Sequence, residues 1–258
     1  MRNFIKKFLL RRDLAKKLKI YGNAYLRRKG WHESYRRGSP TDRNGGPIPW
    51  ITYPALMMLR QVVARHHKVF EYGCGNSSLW WAKHVFSVVS VEHDPAWAER
   101  ISLRAPPNLK VITRKRGEED PGEDRLVPEF FARFQDAAGA ANDQDPALDP
   151  AQFRSYAGEI AKHGKDHFDI VVVDGVARNL AAWMALHFVK ADGIIIFDNS
   201  ERSQYNPGFE LLSANGFRRV DFYGTGPLAT HETCTSIFSK NLEWAAANVK
   251  IDGAFTTD

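Results

Sequence analysis

The sequence predicts an α/β domain built on a mostly parallel β-sheet, with helices on both faces and an antiparallel hairpin at its C-terminal end. Three observations predict it. Short runs that are apolar almost throughout recur at 67–72, 87–92, 108–114, 167–174 and 193–198. Helical segments such as SSLWWAKH, PAWAERISLR and ARNLAAWMALHFVK separate most of them. Two last strand-like runs, GFRRVDFYG and TCTSIFSK, are joined by a Gly/Pro loop. Strands buried on both faces and alternating with helices imply a parallel sheet covered on both sides, whereas two strands joined by a glycine-bearing loop imply a hairpin.

From the N-terminus, residues 4–20 place Phe4, Ile5, Phe8, Leu9, Ala15 and Leu18 near helical spacing, with Lys and Arg between them. That pattern is a basic amphipathic helix, suited to a membrane surface or a partner protein. The Gly-, Pro- and Arg-rich stretch that follows disfavours helix and reads as a linker or an ordered cap. Residues 1–43 are therefore expected to form an extension, and 44–258 the main domain. Within that domain, residues 117–166 are acidic and rich in Ala, Pro and Gly, and are expected to be a helical insertion between the third and fourth strands.

Length and composition fit one domain with extensions: 258 residues, 43% of them hydrophobic. The two cysteines, Cys74 and Cys234, are too few for a disulfide framework. No apolar run reaches the roughly 18 residues of a membrane span, so a soluble cytoplasmic protein is expected, with peripheral contact to a membrane or a protein through residues 1–20. The net charge of +6 resembles that of a nucleic-acid binder, but its distribution argues otherwise. Residues 1–43 carry +11, which leaves −5 on the rest. Only the arm would track phosphates or anionic lipid, and nucleic acid is the less favoured partner.

The first strand runs into Glu71-Tyr72-Gly73-Cys74-Gly75-Asn76-Ser77-Ser78. Two glycines after a strand let the backbone turn sharply and approach a ligand closely. Ser78 stands where the third glycine of the dinucleotide fingerprint would be, and Glu71 ends the strand. Glu71 would repel a pyrophosphate and attract a cation; S-adenosylmethionine carries an ammonium and a sulfonium. Glu92 ends the second strand, 21 residues after Glu71, where a carboxylate can accept hydrogen bonds from both hydroxyls of a ribose.

In these two motifs the chain resembles the class I S-adenosylmethionine-dependent methyltransferases over about residues 65–240. VFEYGCGNSS is similar to their first motif, and VSVEHDP to their acidic second-strand motif. The resemblance implies a Rossmann-like seven-stranded sheet with a reversed last strand. It also implies a cofactor site of Glu71, Gly73, Gly75, Asn76, Ser77, Glu92 and His93. Asp94 reads either as a cofactor contact or as the cap of the next helix.

The fourth and fifth strands end in Asp174-Gly175 and Asp198-Asn199. These ends lie side by side at the ligand-binding edge of a parallel sheet. Here the chain is similar to the catechol and sugar O-methyltransferases, and the resemblance implies that Asp174, Asp198 and Asn199 hold Mg²⁺ or another divalent cation. The residue three after the first Asp, a lysine in the catechol-type enzymes, is Ala177 here, followed by Arg178. The alternative is that both acidic pairs form turns or caps. Asp174, Arg178 and His231 are the expected catalytic residues, the histidine because a loop between the last two strands would carry it to the same edge. Arg202, Tyr205, Trp50 and Tyr53 are expected to contact substrate.

These features together predict methyl transfer to a hydroxyl of a small-molecule or carbohydrate acceptor, with or without metal assistance. Two alternatives remain: an RNA methyltransferase that uses the basic arm for phosphates, and a non-catalytic membrane- or partner-binding module with a relic cofactor pocket.

Overall fold

The computed structural model describes residues 24–119, 126–133 and 150–246, together with Lys16, Lys19 and Gly22. Apart from Lys16 and Lys19, the amphipathic pattern at 4–20 and the contacts expected through residues 1–20 lie outside the described residues, as do residues 120–125 and 134–149 of the expected insertion.

Seven strands, β1 (Lys68–Tyr72), β2 (Ser87–Glu92), β3 (Leu109–Thr113), β4 (Phe168–Val173), β5 (Val189–Asp198), β6 (Arg218–Gly224) and β7 (Thr233–Ser239), form one sheet in the order β3-β2-β1-β4-β5-β7-β6. The pairings from β3 to β5 are parallel, and β7 runs antiparallel to both β5 and β6. This is the mostly parallel seven-stranded sheet with a reversed last strand that the sequence resemblance implies. Strand order reverses between β1 and β4, which opens a cleft beyond their C-terminal ends.

The period of two in the strands sorts their side chains onto two cores. Val69, Ile170, Val172, Ile194 and Ile196 face one side. Phe70, Tyr72, Val171, Val173, Ile195 and Phe197 face the other. The first side is covered by α2 (Tyr53–Val62) and α3 (Asn76–His84), and the second by α7 (Arg178–Phe188) and α8 (Asn206–Ala214), with α1 (Trp31–Arg37) near the N-terminus and α4 (Pro95–Ser102) between β2 and β3. Strands covered twice cannot alternate polar with apolar, which is why these runs are apolar throughout.

Two expected boundaries need correction. Residues 150–162 do not hang off the domain as an insertion. Phe153, Tyr156, Ala157 and Ile160, carried by two short 3₁₀ turns (Pro150–Phe153 and Glu159–Lys162) and α6 (Arg154–Gly158) between them, are fully buried in the second core. The Tyr72 hydroxyl donates to the Ala157 carbonyl at 2.8 Å. Val127 and Phe130 of α5 (Leu126–Arg133) are buried there too. The reason is topological: the chain must cross over the sheet between β3 and β4, and the crossing segment covers the face that β1 and β4 present.

Nor is residue 43 a boundary between arm and body. Residues 24–29 are helical and lead into α1, whose Trp31 indole donates to the Ala229 carbonyl at 2.8 Å. The strap that follows is held by Ser34, bonded both ways to Thr41, and by the Asn76 amide, which donates to Ser39 Oγ at 2.9 Å and to the Pro40 carbonyl at 2.6 Å. Thr52 then caps α2 and donates from its hydroxyl to the Phe222 carbonyl. Deleting residues 1–43 would therefore remove part of the folded body along with the basic arm. Among the described residues no helix is long and apolar enough to cross a membrane.

Candidate functional site

The turn after β1 and the turn after β4 pack against each other. Gly73 has φ +90°, and a Cβ there would stand 3.1 Å from the Asp174 carbonyl oxygen and from Gly175 Cα. A Cβ on Gly175 would meet the Tyr156 hydroxyl at 2.0 Å and Gly73 N at 3.0 Å. Tyr156 cannot swing away, because it is fully buried among Phe153, Tyr72 and His93. Gly175→Ala is accordingly expected to destabilise the protein by about 2–3 kcal/mol in urea denaturation. In a Tyr156→Phe background the same change should cost much less. Equal costs in both backgrounds would rule out this contact.

Glu71 lies beneath the first turn and is fully buried. Its Oε2 accepts hydrogen bonds from the hydroxyls of Ser78 and Ser90. Its Oε1 is buried, and Ser77 is the serine nearest to supply a third hydrogen bond to the carboxyl. Burial pushes the Glu71 carboxyl up to about 7, against the pull of the three serines. Cys74 is buried and its thiol is pushed up by burial, so it serves the turn as a small residue and not as a nucleophile.

Glu92 is fixed at the tip of β2 by three backbone donors: Cys74 N at 3.1 Å to Oε2, and His93 N at 2.8 Å and Asp94 N at 2.9 Å to Oε1. Burial opposes its charge, yet His93 and these N–H groups outweigh burial and hold the carboxyl below its ordinary value. It is an ionised acceptor held in one orientation. Asp94 proves to be the N-cap of α4, accepting from Ala96 N and Trp97 N.

At the ends of β4 and β5 the structure joins Asp174, Asp198 and Asn199, but not around a metal. The Arg178 guanidinium stands among them. It donates to the carbonyls of Gly175 and Asp198 and, at 3.3 Å each, to Asn199 Oδ1 and Asp174 Oδ1. Asp198 Oδ1 accepts from the Thr235 hydroxyl. Burial raises the Asp198 carboxyl to about 6 despite the neighbouring guanidinium. Ala177, at φ 51° and ψ 42°, starts α7 in the left-handed region and turns Arg178 back into the cluster. The expected metal ligands do not fit a divalent ion, because their oxygens face donors and a positive charge already sits between them. Among the described residues no group of three His, Cys, Asp or Glu side chains is arranged to hold a metal.

These elements enclose two adjoining chambers. One, about 330 Å³, is lined by Gly73, Cys74, Ser77, Glu92, His93 and others, with Trp97 and Asp174 at its side. The other, about 310 Å³, includes Ser39, Trp50, Asn76, Arg178, Asp198 and Asn199. Cys74, Ser77, Trp97 and Asp174 belong to both walls.

The expected site residues thus divide. Gly73, Ser77, Glu92 and His93 gather at the first chamber, and Asp174, Arg178, Asp198, Asn199 and Trp50 at the second, while Glu71 is buried beneath the first turn and lines neither. Gly75 and Asn76 line the second chamber and not the first, the Asn76 amide being engaged with the strap. The four remaining candidates lie outside both linings. Tyr53 is buried in α2, and Tyr205 is buried beneath Arg178, its ring 5.5 Å from the guanidinium. Arg202 leans on Glu201 at 3.7 Å, and His231 is exposed on the β6–β7 loop. The structure adds Trp97, whose indole donates to the Cys74 carbonyl at 2.6 Å, and Ser39 and Pro40 of the strap. Trp97 was legible as the aromatic three residues past a capping Asp-Pro, but its contact across the sheet edge was not.

No protein-family model matches the chain, and no curated protein matches it. Solved structures that resemble it include a spermidine synthase from Thermotoga maritima, 12% identical over 73% of this chain with a TM-score of 0.46. This chain spans only 58% of that synthase. A methyltransferase-like protein from Silicibacter pomeroyi is 19% identical over 72% of this chain and 86% of its own, with a TM-score of 0.42. A precorrin-6y C5,15-methyltransferase from Geobacter metallireducens is 11% identical over 72% and 85%, with a TM-score of 0.45.

Proposed function

We propose that the protein is an S-adenosylmethionine-dependent methyltransferase acting without a metal on a hydroxyl of a small, polar, carbohydrate-like acceptor. The observation that carries this reading is the pair of chambers meeting at Asp174. When bound, S-adenosylmethionine supplies a methyl group made electrophilic by its sulfonium.

The residues of the first chamber fit that cofactor. Beneath that chamber, the buried Glu71 carboxyl offers negative charge to a cation. Glu92 offers an oriented carboxylate to a ribose diol. The paired glycine turns leave room for close backbone approach. In the second chamber Trp50, 52% exposed, offers an indole face, while Asp174 and Asn199 offer oxygens to hydroxyl groups. Asp174, common to both walls, is the carboxylate positioned to take the proton of an acceptor hydroxyl.

Two measurements test this. Label from S-[methyl-³H]adenosylmethionine is expected to appear on neutral hydroxyl-bearing acceptors, and failure to bind S-adenosylhomocysteine at all would end the methyl-transfer reading. The second is pH linkage. The folded carboxyl of Glu71 titrates near 7, above the 4.5 of the free group, so below that range it is neutral and gives up its attraction for the ammonium. Affinity for S-adenosylhomocysteine should rise as pH increases from 5 toward 7, by at most about tenfold per unit, and then level off. Glu71→Gln should flatten the profile; an unchanged slope in that variant would assign the linkage to another group.

A further inference from the structure

We infer that the Arg178 guanidinium is the built-in cation of the acceptor site, standing where three strand-end oxygens would otherwise converge on a divalent ion. Its burial and its partners carry the inference. Arg178 is 2% exposed. Its Nε donates to the Gly175 carbonyl at 2.9 Å, one terminal nitrogen bridges the Asp198 carbonyl and Asn199 Oδ1, and the other reaches Asp174 Oδ1. The Tyr205 ring closes the site from below. A planar fork can bridge turns from two strands in this way, whereas a lysine would reach them only as a point charge. The left-handed start of α7 at Ala177 is what brings the side chain in.

The chemical consequence is specific. A divalent ion could chelate two adjacent hydroxyls and lower the pKa of one. A guanidinium whose hydrogens are spent on the protein does neither. Arg178 is instead a positioning residue: it holds the Asp174 carboxylate at the junction of the chambers, where one hydroxyl can donate to it. The role for Asp174 rests on the methyl-transfer reading, but the cation assignment does not.

The experiment uses the full chain and Mn²⁺ as probe, with binding followed by electron paramagnetic resonance and stability by thermal unfolding. The wild-type protein is expected to show no Asp198-dependent Mn²⁺ site and no change in Tm with EDTA. Arg178→Ser is expected to lower Tm by about 10 °C, because it leaves Asp174 and Asp198 without their cation. It should also gain a saturable Mn²⁺ site that raises Tm again and is abolished by Asp198→Asn. Arg178→Lys, which keeps the charge, guards against a variant that does not fold and should bind no Mn²⁺. A stoichiometric Mn²⁺ site in the wild-type protein that Asp198→Asn removes would overturn the inference. So would Mn²⁺ binding by Arg178→Lys, or a folded Arg178→Ser variant that binds none. Binding of S-adenosylhomocysteine, measured on the same samples, reads the cofactor site separately.

Discussion

Glu92→Ala is expected to weaken S-adenosylhomocysteine binding about 100-fold by calorimetry, the loss of two hydrogen bonds to a charged acceptor. The carboxylate is suited to that role because Cys74, His93 and Asp94 donate to it from the backbone and hold it ionised in one orientation. The same three N–H groups lose their acceptor in the variant, so a lower Tm should accompany the weaker binding. Glu92→Gln keeps one side-chain oxygen as an acceptor and should fall between the two. Unchanged affinity in Glu92→Ala would mean that the first chamber takes no ribose.

Asp174→Asn should lower kcat by about 10²- to 10⁴-fold, the range for loss of a general base, with S-adenosylhomocysteine affinity preserved. Asp174 lines both chambers and contacts Arg178 only at 3.3 Å, whereas Asp198 is buried and committed to Thr235. The amide retains the shape and an acceptor oxygen for Arg178 but cannot take a proton. A kcat within a few-fold of wild type would place the base elsewhere, and Asp198→Asn would be the next variant to assay.

Much of the site was legible in the sequence where its signals are local. A carboxylate, two glycines and a second carboxylate 21 residues on marked this edge of the sheet, and the structure sets Gly73 and Glu92 in the wall of the first chamber with Glu71 buried on the neighbouring strand. The acidic pairs at Asp174 and Asp198 were located correctly at one edge, because strand ends in a parallel sheet share it. Their chemistry was not legible. A metal and a guanidinium make similar demands on the oxygens around them, and only the tertiary contacts of Arg178 show its guanidinium among them. Tyr205 and Tyr53 have the residue type of substrate contacts, yet burial decides otherwise.

The charge split shows the same limit. Counting residues separates a basic N-terminal region from a mildly acidic remainder, but a count carries no contact information. Asn76 grips Ser39 and Pro40, and Trp31 reaches Ala229, so this region packs on the body and its Gly38, Ser39 and Pro40 line the second chamber. Likewise, the composition of 117–166 suggested an appendage, and the burial of Tyr156 against Gly175 made its end part of the core.

By itself, the sequence determined the sheet, its reversed last strand and the strand-end turns that line the first chamber, because apolar periodicity and turn chemistry act over a few neighbours. Only the tertiary structure decided that Arg178 stands among the three oxygens and that the N-terminal strap closes the second chamber. Both depend on groups 20 to 198 residues apart meeting in space, and no local pattern encodes that meeting.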